Sequence, residues 1–481
     1  MVVGEACGSR RHPLDAGIAR DRGYFRDPSG YVFQWHKRIF RVVEACARES
    51  YEWVRDSGAL CRLQNEGDLV ATREVPPESW PGNFGRAAYV LEHPRIPFVS
   101  YPYEWSFSGL KAAALHHLDL QLKLLQSGIT LSDASAFNVQ FMGARPIFID
   151  VLSLRPYHEG EFWQGHRQFC EQFLNPLLLT AFLGIAHNAW FRGALEGIPT
   201  SDLARLIPLR RRLSWNVVSH ILLQAKLDAK AKSAPDSAIR QVKAQRQLSR
   251  AAYQGLLFQL RRWISKLHPA DVGTTVWATY AQTNTYSEGG FADKQRFVRE
   301  FAAKTAPEML IDIGCNTGDY SVAALEGGAR YVVGFDFDQQ ALEVAYRRAA
   351  DKNLPFLPLW LDAANPSPDQ GWRQSERIGF DARARADAVI ALAFEHHLAI
   401  GRNVPLPQVL DWLIAIAPTG IIEFVPKSDP TIQRMLALRS DIFDDYNQEA
   451  FSSLLEQRVR IVHRELISGS GRMLYWYDRG L

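Results

Sequence analysis

The stretch LIDIGCNTGDYS, running from Leu310 to Ser321, sets an apolar strand directly before a turn that carries Gly314 and Gly318. Glycines at such a turn let the backbone approach a ligand closely and adopt angles barred to other residues. A dinucleotide fold would place GxGxxG here, and G-C-N-T-G stands instead. Asp336 and Asp362 close the next two apolar runs, YVVGFD and FLPLWLD. A carboxylate in such a place can accept hydrogen bonds from two hydroxyls at once. A second constellation lies far upstream, where four residues separate Asp133 from Asn138 in GITLSDASAFNV and Asp150 ends PIFID. Two sites of different chemistry are therefore candidates.

The downstream motif resembles that of the class I S-adenosylmethionine-dependent methyltransferases: an apolar strand, D, apolar, G, three residues, G. The resemblance continues in order over about the last two hundred residues. It implies that Asp336 holds the ribose hydroxyls of the cofactor, that Asp362 accepts from the adenine amino group, and that Asp312 orients the loop and the methionine amine. It also implies a lid in WATYAQTNTYSEGG, from which Tyr280 and Tyr286 would close over the cofactor. Candidates for a catalytic base follow the fourth and fifth strands: Glu395, His396 and His397 in LAFEHHLAIG, and Glu423 in GIIEFV. EHH is not HExxH, so no zinc site is expected. Leu392 stands where the metal-using RNA 2′-O-methyltransferases carry a further glutamate.

The upstream motif resembles the catalytic loop of protein kinases and small-molecule phosphotransferases, in which H-x-D-x-x-x-x-N precedes an apolar strand ending in a metal-binding aspartate. The resemblance implies Asp133 as base, with Asn138 and Asp150 holding magnesium that bridges the phosphates of ATP. Leu131 replaces the motif histidine, Val151 and Leu152 replace Phe-Gly, and no glycine-rich phosphate loop is visible. The phosphate-contacting lysine has no clear occupant among Lys37, Arg38 and Arg41. A degenerate kinase-like domain for substrate binding or regulation is therefore the expectation, with a phosphotransferase, alone or beside the methyltransferase, as the first alternative and a non-catalytic binding module as the second. The arrangement as a whole resembles the NoeA-like bacterial methyltransferases, which implies a small-molecule or metabolite acceptor and a link to nodulation.

The elements needed to hold these sites are legible in outline. YVFQWHKRIFRVV has the content of paired strands, and EACARESYEWVRDSGALCRLQNEG that of a helix ended by Gly67. LVATREV, AAYVLEHP and IPFVSYPYEW read as further short strands, and Leu110 to Leu125 as a helix leading to the Asp133 loop. Beyond Asp150 the chain turns helical to about Leu267. A basic run within 209–266 reads as a solvated helical face, because aromatic residues are not interleaved with its charges. SKLHPADVGTT is the candidate linker. From Phe297 onward five apolar strands alternate with helices, which predicts a parallel sheet covered on both faces. The expected layout is an α+β kinase-like domain over 1–268, then an α/β Rossmann-like domain over 269–481.

Composition bounds the rest. A chain of 481 residues, 47% hydrophobic and 22% charged, can bury two cores of ordinary size. A formal charge of +3 does not advertise a nucleic-acid partner. Five scattered cysteines, none spaced as CxxC, predict neither disulfides nor a zinc site. No apolar run follows the arginines near the start, and PLLLTAFLGIA from Pro176 is too short for a bilayer span. A cytoplasmic protein without a membrane partner is expected.

Overall fold

The computed structural model describes residues 18–233, 247–270, 288–437, 439–467 and 469–480. In the amino-terminal half, strands β1 (Ile18–Arg20), β2 (Gly30–Trp35), β3 (Arg38–Glu44), β4 (Arg73–Val75) and β5 (Ala87–His93) form an antiparallel sheet in the order β1-β2-β3-β5-β4. The β2–β3 hairpin turns at His36, whose φ of 54° places it in the left-handed region. The single helix expected after β3 is two, Arg48–Asp56 and Ala59–Asn65, because Gly58 at φ 75° breaks the run between them. IPFVSYPYEW is not a strand. Pro102 opens a one-turn helix over Pro102–Glu104 there, and the Glu104 carboxylate accepts the Tyr101 N–H at 2.8 Å. Proline lacks the donor that a ladder needs.

The helix Phe107–Gln126 is capped by Ser106, whose side chain accepts the Gly109 N–H. It leads through Gly128, at φ 69°, into β6 (Ile129–Leu131). The hairpin of β7 (Val139–Met142) and β8 (Arg145–Phe148) follows, and β9 (Leu154–Pro156) pairs back on β6. Most of the described chain from 166 to 265 is helical.

In the carboxy-terminal half, β10 (Leu310–Ile313), β11 (Val332–Asp336), β12 (Phe356–Trp360), β13 (Ala388–Ala391), β14 (Thr419–Phe424), β15 (Arg460–Leu466) and β16 (Met473–Asp478) make one sheet in the order β12-β11-β10-β13-β14-β16-β15. The first five are parallel, as the alternating pattern predicts. The sheet is nevertheless mixed: β16 inserts antiparallel between β14 and β15. Polar and charged residues at Arg460, His463, Arg464 and Glu465 disguise the edge strand β15, which needs little apolar content because it is largely exposed.

The two halves share one continuous hydrophobic core. Tyr331 OH accepts the Gly143 N–H at 3.0 Å, and Tyr346 OH donates to the Ala144 carbonyl at 2.7 Å. Glu343 accepts the Ser108 N–H at 2.8 Å, at the start of the Phe107–Gln126 helix. The Arg383 guanidinium forms a buried ion pair with Glu104 and lies 4.4 Å from the Tyr101 ring centre. The expected linker over 265–275 lies partly outside the described residues.

Candidate active site

The chain runs from β10 outward to β11 and β12, then returns to the other side of β10 for β13 and β14. The reversal leaves a crevice between the carboxyl ends of β10 and β13, where ligands of open α/β sheets bind. A cavity of about 400 Å³ occupies that place, lined among others by Gly314, Asp336, Asp362, Phe394, His396 and His397. Its size falls within the usual range for small-molecule sites.

The glycine turn builds one wall. Gly314 has φ 79°, and a Cβ there would meet Phe394 Cδ2 at 3.1 Å, so only glycine leaves this wall open. Gly318, at φ 82°, does not line the cavity; a Cβ on it would come within 2.6 Å of the Phe356 ring. Asn316, at φ 48°, donates its N–H to Asp336 Oδ2 at 2.8 Å, while Asp336 Oδ1 accepts the Asp338 N–H at 2.8 Å. Asp336 thus ties the turn after β10 to the end of β11. Burial pushes its pKa up to about 6.

The remaining acids take different places. Asp362 lies two residues beyond β12, lines the cavity, and accepts the Ala364 N–H at 3.1 Å. Asp312 sits behind the turn, where its Oδ2 accepts the Ser321 hydroxyl at 2.6 Å, and burial raises its pKa to about 7. Tyr280 and Tyr286 lie outside the described residues.

The four base candidates separate into two pairs. His396 and His397 line the cavity at the start of the short helix Glu395–Ala399, with ring centres 4.3 Å apart. Burial, then His396 and Arg472, hold His397 well below the ordinary imidazole pKa, so its ring is neutral at physiological pH. Glu395 and Glu423 do not line the cavity. Glu395 Oε1 accepts the Tyr446 hydroxyl at 2.6 Å and the Val425 N–H at 3.1 Å. Glu423 belongs to a buried network with Lys294, Arg472 and Asp429. Its Oε2 also accepts the N–H of Ala393 at 2.8 Å, and Ala393 lines the cavity in a left-handed conformation, φ 49°. Such strain in a non-glycine residue persists only where its surroundings fix it.

Sequence reasoning missed Lys294, Arg472, Ala393 and Phe394. A buried lysine or arginine looks like a surface one in a single sequence, and nothing around Ala393 signals its backbone angle. Asp338 was legible in principle as the second acid of FDFD, where it caps the helix Gln339–Asp351.

In the amino-terminal half, Asn138 Nδ2 donates to Asp133 Oδ1 at 3.1 Å. Burial and then the Asp150 charge push Asp133 up to about 7. Asp150 is paired with the buried guanidinium of Arg41, which projects from β3. Of the three basic residues Lys37, Arg38 and Arg41, it is Arg41 that reaches Asp150, while Arg38 pairs with Glu92.

The nodulation protein NoeA of Rhizobium meliloti (strain 1021) is 50% identical over 461 residues, spanning 96% of this chain and 96% of its own length. The chain belongs to the NoeA family. The ribosomal protein L11 methyltransferase (PrmA) family model matches residues 298–355, which hold β10, the glycine turn and β11. A ribosomal protein L11 methyltransferase of Shewanella baltica (strain OS155 / ATCC BAA-1091) is 29% identical over 128 residues, 21% of this chain and 41% of that protein. Among solved structures, the N-methyltransferase NodS of Bradyrhizobium japonicum WM9 in complex with S-adenosylhomocysteine aligns at a TM-score of 0.31 and 12% identity, over 40% of this chain and 90% of that one. This NoeA-family chain is an S-adenosylmethionine-dependent methyltransferase, and the donor set fits that cofactor. Asp336 and Asp362 can accept from hydroxyl and amino groups, and the wall at Gly314 is one that a Cβ would fill.

Proposed function

We propose that the protein methylates a small-molecule acceptor at the His396–His397 end of the cavity, with Asp336 and Asp362 holding the ribose and adenine of the cofactor and Asp312 orienting the turn. When bound, the cofactor supplies an electrophilic methyl group. The chain's task is then to align the acceptor and, where the acceptor must lose a proton, to receive it. The observation that carries the reading is one cavity lined both by carboxylates at or just beyond the ends of β11 and β12 and by a neutral imidazole, His397. A role in nodulation follows from the name of the Rhizobium relative. Calorimetry with S-adenosylhomocysteine tests the cofactor assignment, and absence of heat at millimolar ligand would sink it. Labelled S-adenosylmethionine incubated with protein and fractionated cell metabolites tests the acceptor class; label found only in protein would refute a small acceptor.

We assign residues 1–268 to a kinase-like domain that binds substrate or regulates the enzyme, and 269–481 to the catalytic domain. The order β1-β2-β3-β5-β4, with helices inserted between β3 and β4, and the loop joining Asp133, Asn138 and Asp150 support the kinase-like reading. The engagement of Asp150 by Arg41 and of Asn138 by Asp133 favours a non-catalytic role, since both metal-site candidates already have internal partners. A thermal shift with magnesium and ATP that disappears in Asp150→Asn would reverse this assignment in favour of phosphotransfer.

A further inference from the structure

The helical part of the amino-terminal half carries a surface that neither site uses. Between Leu209 and Trp215 the chain makes one turn of 3-10 helix, a bend, and the start of the next helix. Three large apolar side chains in these seven residues stand in solvent: Leu209 is 78% exposed, Leu213 89% and Trp215 72%. Isolated exposed leucines are ordinary, but three apolar residues this open within one short segment are not. Arg210 and Arg211, between them, are also exposed. Among the described residues no carboxylate lies within ion-pair distance of either.

The segment is held rigidly. Arg212 donates to the carbonyls of Ala204 and Ile207, at 3.1 and 3.0 Å, and so pins the segment to the end of the preceding helix. Arg211 lies 4.7 Å from the ring centre of Phe182. The apolar residues are thus presented by a braced loop, not by a fraying end. The sequence of the stretch is one-sided in charge: from Arg205 to Ser233 the chain has seven lysines and arginines and one acid, Asp228.

We propose that this segment is a peripheral docking site for an anionic bilayer surface. Leucines and a tryptophan at a tip enter the headgroup boundary, where the amphipathic indole is favoured, and flanking arginines meet lipid phosphates. No described helix is long and apolar enough to cross a membrane, so attachment through this segment is reversible and lies at the interface. Charge complementarity selects the bilayer over a second copy of the chain, because two copies would oppose arginine to arginine.

The test is co-sedimentation of the full chain with phosphatidylglycerol–phosphatidylethanolamine vesicles and with phosphatidylcholine vesicles at 0.15 M salt. Binding to the anionic vesicles only is expected. Leu209→Ser/Leu213→Ser/Trp215→Ser should abolish it, and Arg210→Gln/Arg211→Gln should weaken it roughly 25-fold, about fivefold per arginine. Both variants should bind S-adenosylhomocysteine as the parent does, which verifies folding separately from docking. The proposal fails if the parent does not sediment with anionic vesicles, or if the triple variant sediments equally well. It fails also if sedimentation velocity shows a dimer that the triple variant dissolves, since a second copy would then cover the patch.

Discussion

Lys294 Nζ lies 2.6 Å from Glu423 Oε1, with neither side chain exposed to solvent. Burial alone would raise the carboxyl, but Lys294 and Arg472 overcome it and Glu423 ends below its ordinary pKa. The pair joins the helix Glu288–Thr305 to the end of β14, and through Glu423 Oε2 it reaches the strained N–H of Ala393 in the cavity wall.

Removing one partner of this pair leaves a buried charge. Lys294→Met is expected to destabilise the fold by about 3–5 kcal/mol, read as a lower midpoint in urea. Glu423→Ala also deprives Ala393 of its acceptor, and S-adenosylhomocysteine affinity should fall about tenfold or more. An unchanged dissociation constant beside a lowered midpoint would confine Glu423 to a structural part.

Asp336→Ala removes a carboxylate that both fixes the turn and faces the cavity. Losing charge-assisted hydrogen bonds at about 2 kcal/mol predicts at least a thirtyfold loss of cofactor affinity, measurable by calorimetry. Asp362→Ala removes the proposed adenine acceptor but, within the protein, a bond to the local bend at Ala364 rather than one to the glycine turn, and should lose less.

The raised pKa values of Asp336 and Asp312 give two pH dependences of opposite sign. Without cofactor, the native state keeps protons on these groups that the unfolded chain has released above about pH 4. Their contribution to stability is therefore lost as pH rises toward 6 for Asp336 and 7 for Asp312. Cofactor hydroxyls favour the ionised Asp336, so affinity should instead fall as pH drops below about 6. Melting temperatures and calorimetric titrations across pH 5 to 8 would separate the two trends; parallel trends would contradict the assignment.

Gly318→Ala combines a left-handed backbone with a Cβ 2.6 Å from the Phe356 ring. About 1–2 kcal/mol for the conformation and 1–3 for overpacking predict a marked fall in melting temperature. Gly255→Ala is the control: a Cβ there meets nothing within 4 Å, it lies inside the helix Arg250–Ser265, and the change should be neutral or stabilising.

The five parallel strands and the glycine turn were legible because each is written locally: an apolar run, then a residue with a defined backbone need. The hairpin of β15 and β16 was not, since an exposed edge strand such as RIVHREL carries no alternating apolar signal. Asp336 and His397 could be placed at the site from motif order alone, whereas Glu395 and Glu423 have the same spacing logic yet turn into the protein. Which way a side chain leaves a strand end depends on partners distant in sequence, here Tyr446, Lys294 and Arg472. The same applies to Arg41, identified as the partner of Asp150 only once β3 is laid beside the loop 109 residues away.

The tyrosines that anchor the catalytic sheet to the other half, Tyr331 and Tyr346, bond to the backbone of the turn between β7 and β8. A gene fragment beginning near residue 288 would leave those phenols, and Phe335 whose ring packs edge-on against Phe98, without their cover, as a water-averse scar on an otherwise finished sheet. Shuffling a new front end onto this enzyme therefore demands a replacement that reproduces that turn, not merely a compatible linker length.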